Sequence, residues 1–222
     1  MTDNPLPQEK AYNPLDKKNL GVSVADAMLA KSVSPLPPEQ PFIGAGIYAI
    51  YYCGDFPAYQ AISAKNKNGG FNAPIYVGKA VPAGARKGGL GLDIPPGQVL
   101  YSRLCEHAKS IEQASNLNLK DFFCRYLVVD DIWIPLGESL LIETFTPVWN
   151  RMVDGFGNHD PGSGRHKQQN SPWDVIHPGR HWAARLQPNA RTPEQIFDAL
   201  TKYFEKFESN KAVTPLIKPP EI

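Results

Sequence analysis

The chain has 222 residues with 42% hydrophobic and 10% aromatic side chains, which is ordinary for a globular protein. That length suffices for one well-buried domain, or for one domain that carries large insertions. The formal net charge of +1 favours no class of partner. The sequence shows no basic-then-apolar leader and no long apolar stretch, so we expect a soluble, cytoplasmic protein without a membrane segment.

The cysteines and prolines further limit the class of protein and its loop content. Cys53, Cys105 and Cys124 form an odd set without a CxxC pair, and each lies in an apolar run. We therefore expect neither a disulfide nor a zinc site, in a reducing compartment. The 22 prolines are about double the average usage and predict long extended loops between the regular elements.

The N-terminal part is expected to form an arm and one short helix. The pattern predicts this helix over residues 22–32, with Ser23 as its N-cap. The proline-rich residues 35–42 predict an extended connector.

Two short strands follow, and each contains a tyrosine close to a glycine. Residues 46–53 and 74–78 are rich in β-branched and aromatic side chains, which favour strands. We expect loop insertions over 54–73, which contains KNKNGG, and over 79–97, which is rich in glycine and proline.

Two helices and a third strand are predicted next. Residues 98–113 place their apolar side chains at helical spacing on one face. These side chains are Leu100, Leu104, Ala108 and Ile111. A strand over 121–131 and a helix over 135–146, which stops before Pro147, come after them.

The C-terminal part begins with a long segment, 150–191, that shows no helical or strand period. Such a segment is usually functional or disordered, and its Trp173 and Trp182 argue against disorder. A final helix is predicted after a capping box, with Thr192 as the N-cap and Gln195 at the third helical position.

The charges are distributed unevenly along the chain. Residues 76–110 and 151–191 are basic on balance, whereas 111–150 is acidic. Two basic segments on one face would suit a polyanion. The alternative is that both are ordinary solvated surface.

Arg103 and His107 are four residues apart on the first predicted core helix and therefore share a face. The apolar face lies beside theirs, so we expect both side chains to project next to the core rather than into it. A solvated helix face is the alternative interpretation. Glu138 on the next helix, and Asn150 after it, could each be a surface residue when considered alone.

The order of these features resembles the GIY-YIG nuclease superfamily. GIY stands at residues 46–48 and YVG at 76–78. The block ESLLIETFTPVWN, which contains Glu138 and Asn150, is similar to a later motif of that family. Its spacing favours Glu138 over Glu143 as the glutamate that would bind metal.

Two departures from the common family pattern indicate one branch. The two tripeptides stand farther apart than usual, and His107 occupies a position where many members have tyrosine. Both features, with the block at 162–183, resemble the Type II restriction endonucleases that cut the palindrome CCGCGG (SacII-type specificity). The resemblance implies an α+β GIY-YIG fold, with a small, central, mostly antiparallel three-stranded sheet flanked by helices.

The implied organisation is a single compact domain in three parts. Residues 1–43 would form the arm and short helix. Residues 44–150 would form the catalytic core, with its insertions at 54–73 and 79–97. Residues 151–222 would form an irregular DNA-contacting segment and a C-terminal helix packed on the core.

The resemblance also implies the chemistry of phosphodiester hydrolysis. Tyr48 would be the general base, or would relay a proton to His107, and the sequence leaves both open. Because a phenol has a pKa near 10, the phenolate of Tyr48 would need support from Lys79, His107 or Tyr76. Arg103 would stabilise charge on the phosphorane.

Metal binding would fall to Glu138. A single carboxylate implies one Mg²⁺ per active site, which Mn²⁺ could replace. Asn150 would hold the second helix and the neighbouring strands in register, and its alternative role is a helix C-cap.

Base recognition is expected outside the phosphate-centred site. A G/C-only target presents guanine O6 and N7, which favour Arg and Lys. The candidate DNA-binding residues are Arg86, Lys87, Arg165, Lys167, Gln168, Gln169, Arg180 and His181. The last six are candidate base readers; the alternative is that several contact only phosphates or pack against Trp173 and Trp182.

Partners follow from the implied activity. A palindromic double-stranded DNA requires two-fold symmetry and hence a homodimer. A restriction enzyme would have a cognate DNA methyltransferase as its genetic partner, in a bacterial cytoplasm. The alternatives are a non-catalytic DNA-binding protein on a nuclease scaffold, and a repair or homing nuclease of the same superfamily.

Overall fold

A computed structural model describes residues 11–82, 95–162, 164 and 167–209 of the chain. The strands are β1 (Ser34–Pro35), β2 (Gly46–Tyr52), β3 (Pro74–Ala80) and β4 (Phe122–Val128). The helices are α1 (Lys17–Leu29), α2 (Gln60–Asn66), α3 (Val99–Gln113), α4 (Ile134–Phe145), α5 (Val148–Arg151), α6 (Pro172–Ile176) and α7 (Pro193–Ser209). None of the helices in these ranges is long and apolar enough to cross a membrane.

Within the described residues, the strands form one antiparallel sheet in the order β1-β4-β2-β3. The predicted α+β class is therefore confirmed. The short β1 adds a fourth strand to the predicted three, at the start of the expected connector. Its Pro35 lies on a sheet edge, where a residue without an N–H group is tolerated.

The central strand β2 is buried on both faces because alternate side chains enter two different cores. The first core packs against α3, α5, α6 and α7, and receives Tyr48, Ile50 and Tyr52. The second packs against α1 and α4, and receives Ile47, Ala49 and Tyr51. Any catalytic side chain on β2 therefore lies inside one of these two cores, where it is shielded from water.

Two N-terminal expectations are wrong in detail. Helix α1 begins at Lys17, where the Asp16 carboxylate accepts a hydrogen bond from the Lys18 N–H at 2.9 Å. Ser23 therefore lies inside the helix and is not its N-cap. The insertion 54–73 is not a loop, since it contains α2.

The buried Asn66 side chain closes this insertion. Its Nδ2 donates to the carbonyls of Tyr52 at 3.0 Å and of Ala73 at 2.8 Å, and its Oδ1 accepts from the Ala73 N–H at 2.9 Å. Because the Asn66 amide satisfies buried backbone groups of Tyr52 and Ala73, the insertion can return to the sheet without an apolar face of its own. A pattern of apolar residues therefore does not predict this closure.

The predicted core elements α3, β4 and α4 are confirmed to within a few residues. The apolar face of α3 is buried as expected: Leu100, Leu104, Ala108 and Ile111. Strand β4 ends at Val128, and a short 3₁₀ turn, Asp131–Trp133, follows it. The expected loop 79–97 is wrong at its start, since β3 continues to Ala80, and residues 83–94 lie outside the described ranges.

The segment 150–191 is irregular as predicted but contains the five-residue helix α6, whose Trp173 is fully buried. The capping box before α7 is confirmed. The Thr192 N–H donates to Gln195 Oε1 at 3.0 Å, and the Gln195 N–H donates to Thr192 Oγ1 at 3.4 Å.

A buried polar chain joins this segment to the core. His177 is fully buried, and its Nε2 lies 2.7 Å from the hydroxyl of Tyr59. The same hydroxyl accepts from Trp149 Nε1 at 2.9 Å, and His177 Nδ1 lies 2.9 Å from the Asn116 amide oxygen. Both ring nitrogens are thus satisfied by a neutral imidazole that donates from Nδ1 and accepts at Nε2.

We predict that His177 lowers the stability of the protein as the pH falls below about 6.5. Burial, and then the charge of Arg180, lowers the pKa of His177 to about 3 in the folded state. The unfolded chain takes up this proton near pH 6.5, so the free energy of unfolding should fall by about 1.4 kcal/mol per pH unit between the two values. Urea titrations at several pH values measure the slope.

The variant His177→Gln should make this slope shallower, because it removes the titrating group. The matched control is His181→Gln at an exposed histidine, which should keep the wild-type slope. A wild-type slope in His177→Gln would contradict the prediction.

Candidate active site

A hydrogen bond between a tyrosine and a histidine lies at the centre of the site. The Tyr48 hydroxyl on β2 is 2.6 Å from Nε2 of His107 on α3. Tyr48 is 0% exposed and His107 is 1% exposed. The expectation that His107 projects beside the core is therefore wrong, because Phe156 stacks on its ring at 4.5 Å and an interplanar angle of 19°.

Burial keeps both partners neutral. Burial, and then Tyr76, raises the pKa of Tyr48 well above its usual range. Burial, and then the charge of Arg103, holds the pKa of His107 well below its usual range. A neutral phenol is the better donor and a neutral imidazole nitrogen the better acceptor, so the Tyr48 O–H donates to Nε2 of His107.

Tyr76 on β3 completes an aromatic group around this hydrogen bond. Its ring centroid lies 6.2 Å from that of Tyr48 and 5.3 Å from that of His107. It also meets the Phe156 ring edge-on at 5.0 Å. Burial raises the pKa of Tyr76 as well, and Arg103 opposes that shift. The two tyrosines of the glycine-linked tripeptides are thus close neighbours on one face of the sheet.

Gly78 makes room for the Tyr48 hydroxyl. The two residues are direct partners across β2 and β3. A Cβ atom added at Gly78 would lie 2.4 Å from the Tyr48 hydroxyl and 2.6 Å from its Cζ. The second tripeptide therefore needs glycine so that the phenol of the first can cross the neighbouring strand.

Arg103 lies one helical turn before His107 and is partly buried. Its Nη2 donates to the Gly157 carbonyl at 2.7 Å, and its Nη1 donates to Glu106 Oε2 at 2.9 Å. Nη1 also donates to Nε2 of His159. Because its charge lowers the pKa of both active-site tyrosines, Arg103 favours their phenolate forms.

Asn150 binds the backbone of β3 next to Tyr76. Its Oδ1 accepts from the Val77 N–H at 2.8 Å, and its Nδ2 donates to the Val77 carbonyl at 2.8 Å. Its amide therefore attaches the short helix α5 to the strand that carries Tyr76.

Lys79 on β3 and Glu138 on α4 form an ion pair on the face of the sheet opposite Tyr48 and Tyr76. Lys79 Nζ is 2.6 Å from Glu138 Oε2. Lys79 pairs with Ile47, whose side chain enters the second core, so it projects away from Tyr48. Lys79 is therefore on the wrong face of the sheet to support the Tyr48 phenolate. The cation that lowers the pKa of Tyr48 is Arg103.

Helix α4 brings Glu138 to the sheet because Gly137 allows a close approach. A Cβ at Gly137 would lie 2.6 Å from Val24 Cγ1 and 3.0 Å from Ile47 Cδ1. In the part of the chain that the structure describes, no three His, Cys, Asp or Glu side chains form a metal-binding group. A cation at this edge would consequently rely on the single carboxylate of Glu138 together with water.

The predicted base readers separate into two groups. Lys167, Gln168, Gln169 and His181 are exposed. Arg180 is only 2% exposed and pairs with Asp174, so its assignment as a base reader is corrected to a buried structural role. Arg86, Lys87 and Arg165 lie outside the described residues.

The loop 155–158 is the part of the site that sequence reasoning missed. It supplies the Phe156 ring that covers His107 and the Gly157 carbonyl that binds Arg103. The glycines on either side of Phe156 were the available signal. A Cβ at Gly157 would lie 2.7 Å from the Tyr76 hydroxyl, so glycine is needed for the loop to pass this close to the site.

Comparison with known families finds a match over most of the chain. A family model described as the Eco29kI GIY-YIG domain matches residues 40–204, well over half of the chain. The matched range includes both active-site tyrosines, α3, α4 and the loop 155–158. No curated protein matches the chain.

We predict that Gly78→Ala destabilises the protein and disturbs the Tyr48–His107 hydrogen bond. The added methyl group must displace a fully buried phenol, and overpacking of this kind costs about 1–3 kcal/mol. Urea unfolding measures the loss. Gly164→Ala is the matched control, because a Cβ there meets nothing within 4 Å. Equal stability of the two variants would contradict the prediction.

Proposed function

The chain belongs to the Eco29kI GIY-YIG domain family and is a restriction-type nuclease, and from this premise we propose that it is a Type II, Mg²⁺-dependent endonuclease that cuts palindromic G/C sites in double-stranded DNA. The proposed target is CCGCGG. The observation that carries the proposal is the buried Tyr48–His107 hydrogen bond beside Tyr76 and Arg103. The buried Tyr59–His177 pair has a similar hydrogen bond, but only at Tyr48 does the charge of an arginine also favour the phenolate.

The proposed base is the Tyr48–His107 pair acting as a relay. The high pKa of Tyr48 disfavours a free phenolate, whereas the neutral His107 has a lone pair directed at the phenol proton. As a water attacks phosphorus, its proton would pass to the Tyr48 oxygen while the Tyr48 proton passes to His107 Nε2. Of the two possibilities left by the sequence, the 2.6 Å contact supports this one.

Arg103 is proposed to bind the non-bridging oxygens of the scissile phosphate. Its planar fork suits two phosphate oxygens. In the free protein, Nη1 donates to the Glu106 carboxylate and to His159, and a phosphate oxygen would take the place of that carboxylate. Glu106 is exposed and can turn away when DNA arrives, whereas the Gly157 carbonyl would continue to orient the guanidinium.

Glu138 is proposed to hold one Mg²⁺, with Mn²⁺ able to replace it. Mg²⁺ commonly takes one or two carboxylates, substrate phosphate and several waters, so the single accessible carboxylate at this edge fits. When bound, the ion would stabilise negative charge on the departing 3′ oxygen. The Lys79 ammonium lies against this carboxylate in the free protein and would have to share it or move aside when Mg²⁺ binds.

Base recognition is proposed for the exposed residues Lys167, Gln168, Gln169 and His181. The backbone supports this stretch, because Gln168 and Asn170 exchange hydrogen bonds with Gln187 at 3.0 and 2.7 Å. Two copies would read the two halves of the palindrome, so we propose a homodimer on DNA. A cognate DNA methyltransferase would protect the same sites in the host.

Cleavage of defined DNA tests the proposal directly. A plasmid with one CCGCGG site should be linearised with Mg²⁺ and left intact with a chelator, and a plasmid without the site should survive. Glu138→Gln should abolish cutting at any Mg²⁺ concentration. Equal cutting of both plasmids, or cutting unaffected by the chelator, would refute the specificity or the metal requirement.

We predict that Tyr48→Phe and His107→Gln lose cleavage but keep DNA binding. General base catalysis is worth about 10²–10⁴-fold, so the single-turnover rate should fall by that factor. Rates on a CCGCGG duplex and binding titrations without Mg²⁺ measure the two effects. Tyr101→Phe, at a partly exposed tyrosine of α3, is the matched control and should cut normally. A relay is excluded if His107→Gln cuts at the wild-type rate.

We predict that Lys167→Ala or Gln168→Ala weakens binding to CCGCGG more than binding to a scrambled duplex. A lost bidentate base contact costs about 1–3 kcal/mol, and a symmetric dimer loses it twice. Lys120→Ala, at an exposed lysine outside residues 162–183, controls for the removed charge. If binding to both duplexes weakens equally, this segment contacts only phosphates.

A further inference from the structure

We infer that Arg180 and Asp174 are positioning residues for the proposed active site, which they organise through the loop 155–158. The inference rests on the proposed function for its catalytic consequence, but the arrangement itself can be tested without DNA. Neither residue contacts Tyr48 or Arg103 through any hydrogen bond of the described chain, so their effect would be transmitted by the loop.

The guanidinium of Arg180 is fully used within the protein. Nε and Nη2 bind the Asp174 carboxylate at 2.6 and 2.7 Å. Nη2 also donates to the Gly155 carbonyl at 2.9 Å, and Nη1 donates to the carbonyls of Phe156 at 3.1 Å and Asn158 at 3.3 Å. Five N–H groups therefore meet five acceptors, and three of these acceptors belong to one four-residue loop.

The surroundings of the ion pair prevent it from moving. Arg180 lies between two indole rings, 4.5 Å from the centroid of Trp173 and 4.6 Å from that of Trp182. The Asp174 carboxylate also accepts from the Ser171 hydroxyl at 2.6 Å. Arg180 and Asp174 are 2% and 4% exposed. A desolvated charge pair persists only when every group is satisfied, so the loop carbonyls have one favourable position.

The loop transmits this position to two residues of the site. The Phe156 ring stacks on His107, and the Gly157 carbonyl accepts from Nη2 of Arg103 at 2.7 Å. These contacts bury the proposed proton acceptor and orient the proposed phosphate ligand. Loosening the loop should therefore hydrate His107 and release Arg103 together.

The state of His107 provides a measurement that a purely structural role would not change. Its titration is set by burial and by the groups that face it: Tyr48 from β2, Tyr76 from β3, Arg103 from α3, and His159 and Arg180 from the C-terminal segment. The His107 Cε1–H signal can be followed by NMR in the free protein and assigned with His107→Gln.

Arg180→Lys keeps the positive charge but cannot bind the three carbonyls and the carboxylate together. We expect His107 in this variant to titrate closer to its usual pKa of about 6.5. The single-turnover rate on the CCGCGG duplex should fall by about 10²-fold, as for a misplaced catalytic group. Binding of the duplex without Mg²⁺ should change little, and the acid limb of the pH–rate profile should move to higher pH.

Phe156→Leu tests the same inference with Arg180 intact. It removes the stacked ring, so the pKa of His107 should rise in this variant as well. If Arg180→Lys fails to fold, Asp174→Asn, which removes the charged partner of Arg180, decides with the same titration. The matched control is Arg125→Lys, because Arg125 binds the Lys31 and Phe71 carbonyls and lies over the Tyr51 ring in the second core. It should change neither the titration nor the rate.

Folded variants at Arg180 and Phe156 in which His107 titrates as in the wild type would overturn the inference. So would an equal shift in Arg125→Lys, which would indicate general loosening. A wild-type protein that cuts no duplex would refute the proposed function, yet the titration would still report whether Arg180 positions His107. The two failures are therefore distinguishable.

Discussion

The hydrogen bond from the Tyr48 hydroxyl to Nε2 of His107 is the contact around which the rest of the site is arranged. It joins the central strand to α3 through two residues that are both removed from water. In that environment neither partner ionises readily, so each is held in the form that suits the bond. Gly78 leaves room for the Tyr48 hydroxyl, and the Phe156 ring covers His107, so both are required for the pair to form.

Strand β3 connects the two halves of the site. Its Tyr76 faces the histidine side, its Lys79 faces Glu138 on the other side, and Asn150 binds Val77 between them. At a strand near the sheet edge, groups from opposite faces can reach one phosphate from two directions. The buried side with Tyr48 and His107 is where we propose proton transfer, and the more exposed side with Lys79 and Glu138 is where we propose the metal ion.

The C-terminal segment contributes to the site by covering it. Two buried polar networks, centred on His177 and on Arg180, attach the segment to the first core. Both place cationic or titratable side chains where an apolar core would ordinarily lie, and the ring nitrogens of His177 and the guanidinium N–H groups of Arg180 all have hydrogen-bond partners. Such networks cost desolvation energy and are stable in one arrangement, which suits a cover that must hold neighbouring residues in place.

Local sequence determined the strands and helices that carry the site, because those depend on spacing along the chain. The GIY and YVG tripeptides, the apolar face of α3 and the capping box at Thr192 were all predicted, and the family resemblance selected Glu138 and Asn150. The start of α1 and the helix inside 54–73 were missed, since their polar caps and closures leave no apolar period.

Only the tertiary structure decided which side chains meet. The burial of His107 depends on Phe156, a residue far along the chain, and no pattern within α3 could indicate it. The strand register places Lys79 and Tyr48 on opposite faces of the sheet. Arg180 is buried because it pairs with Asp174 and lies between two tryptophans. Charge and residue type are local properties, whereas exposure, partner and pKa are properties of the packed neighbourhood.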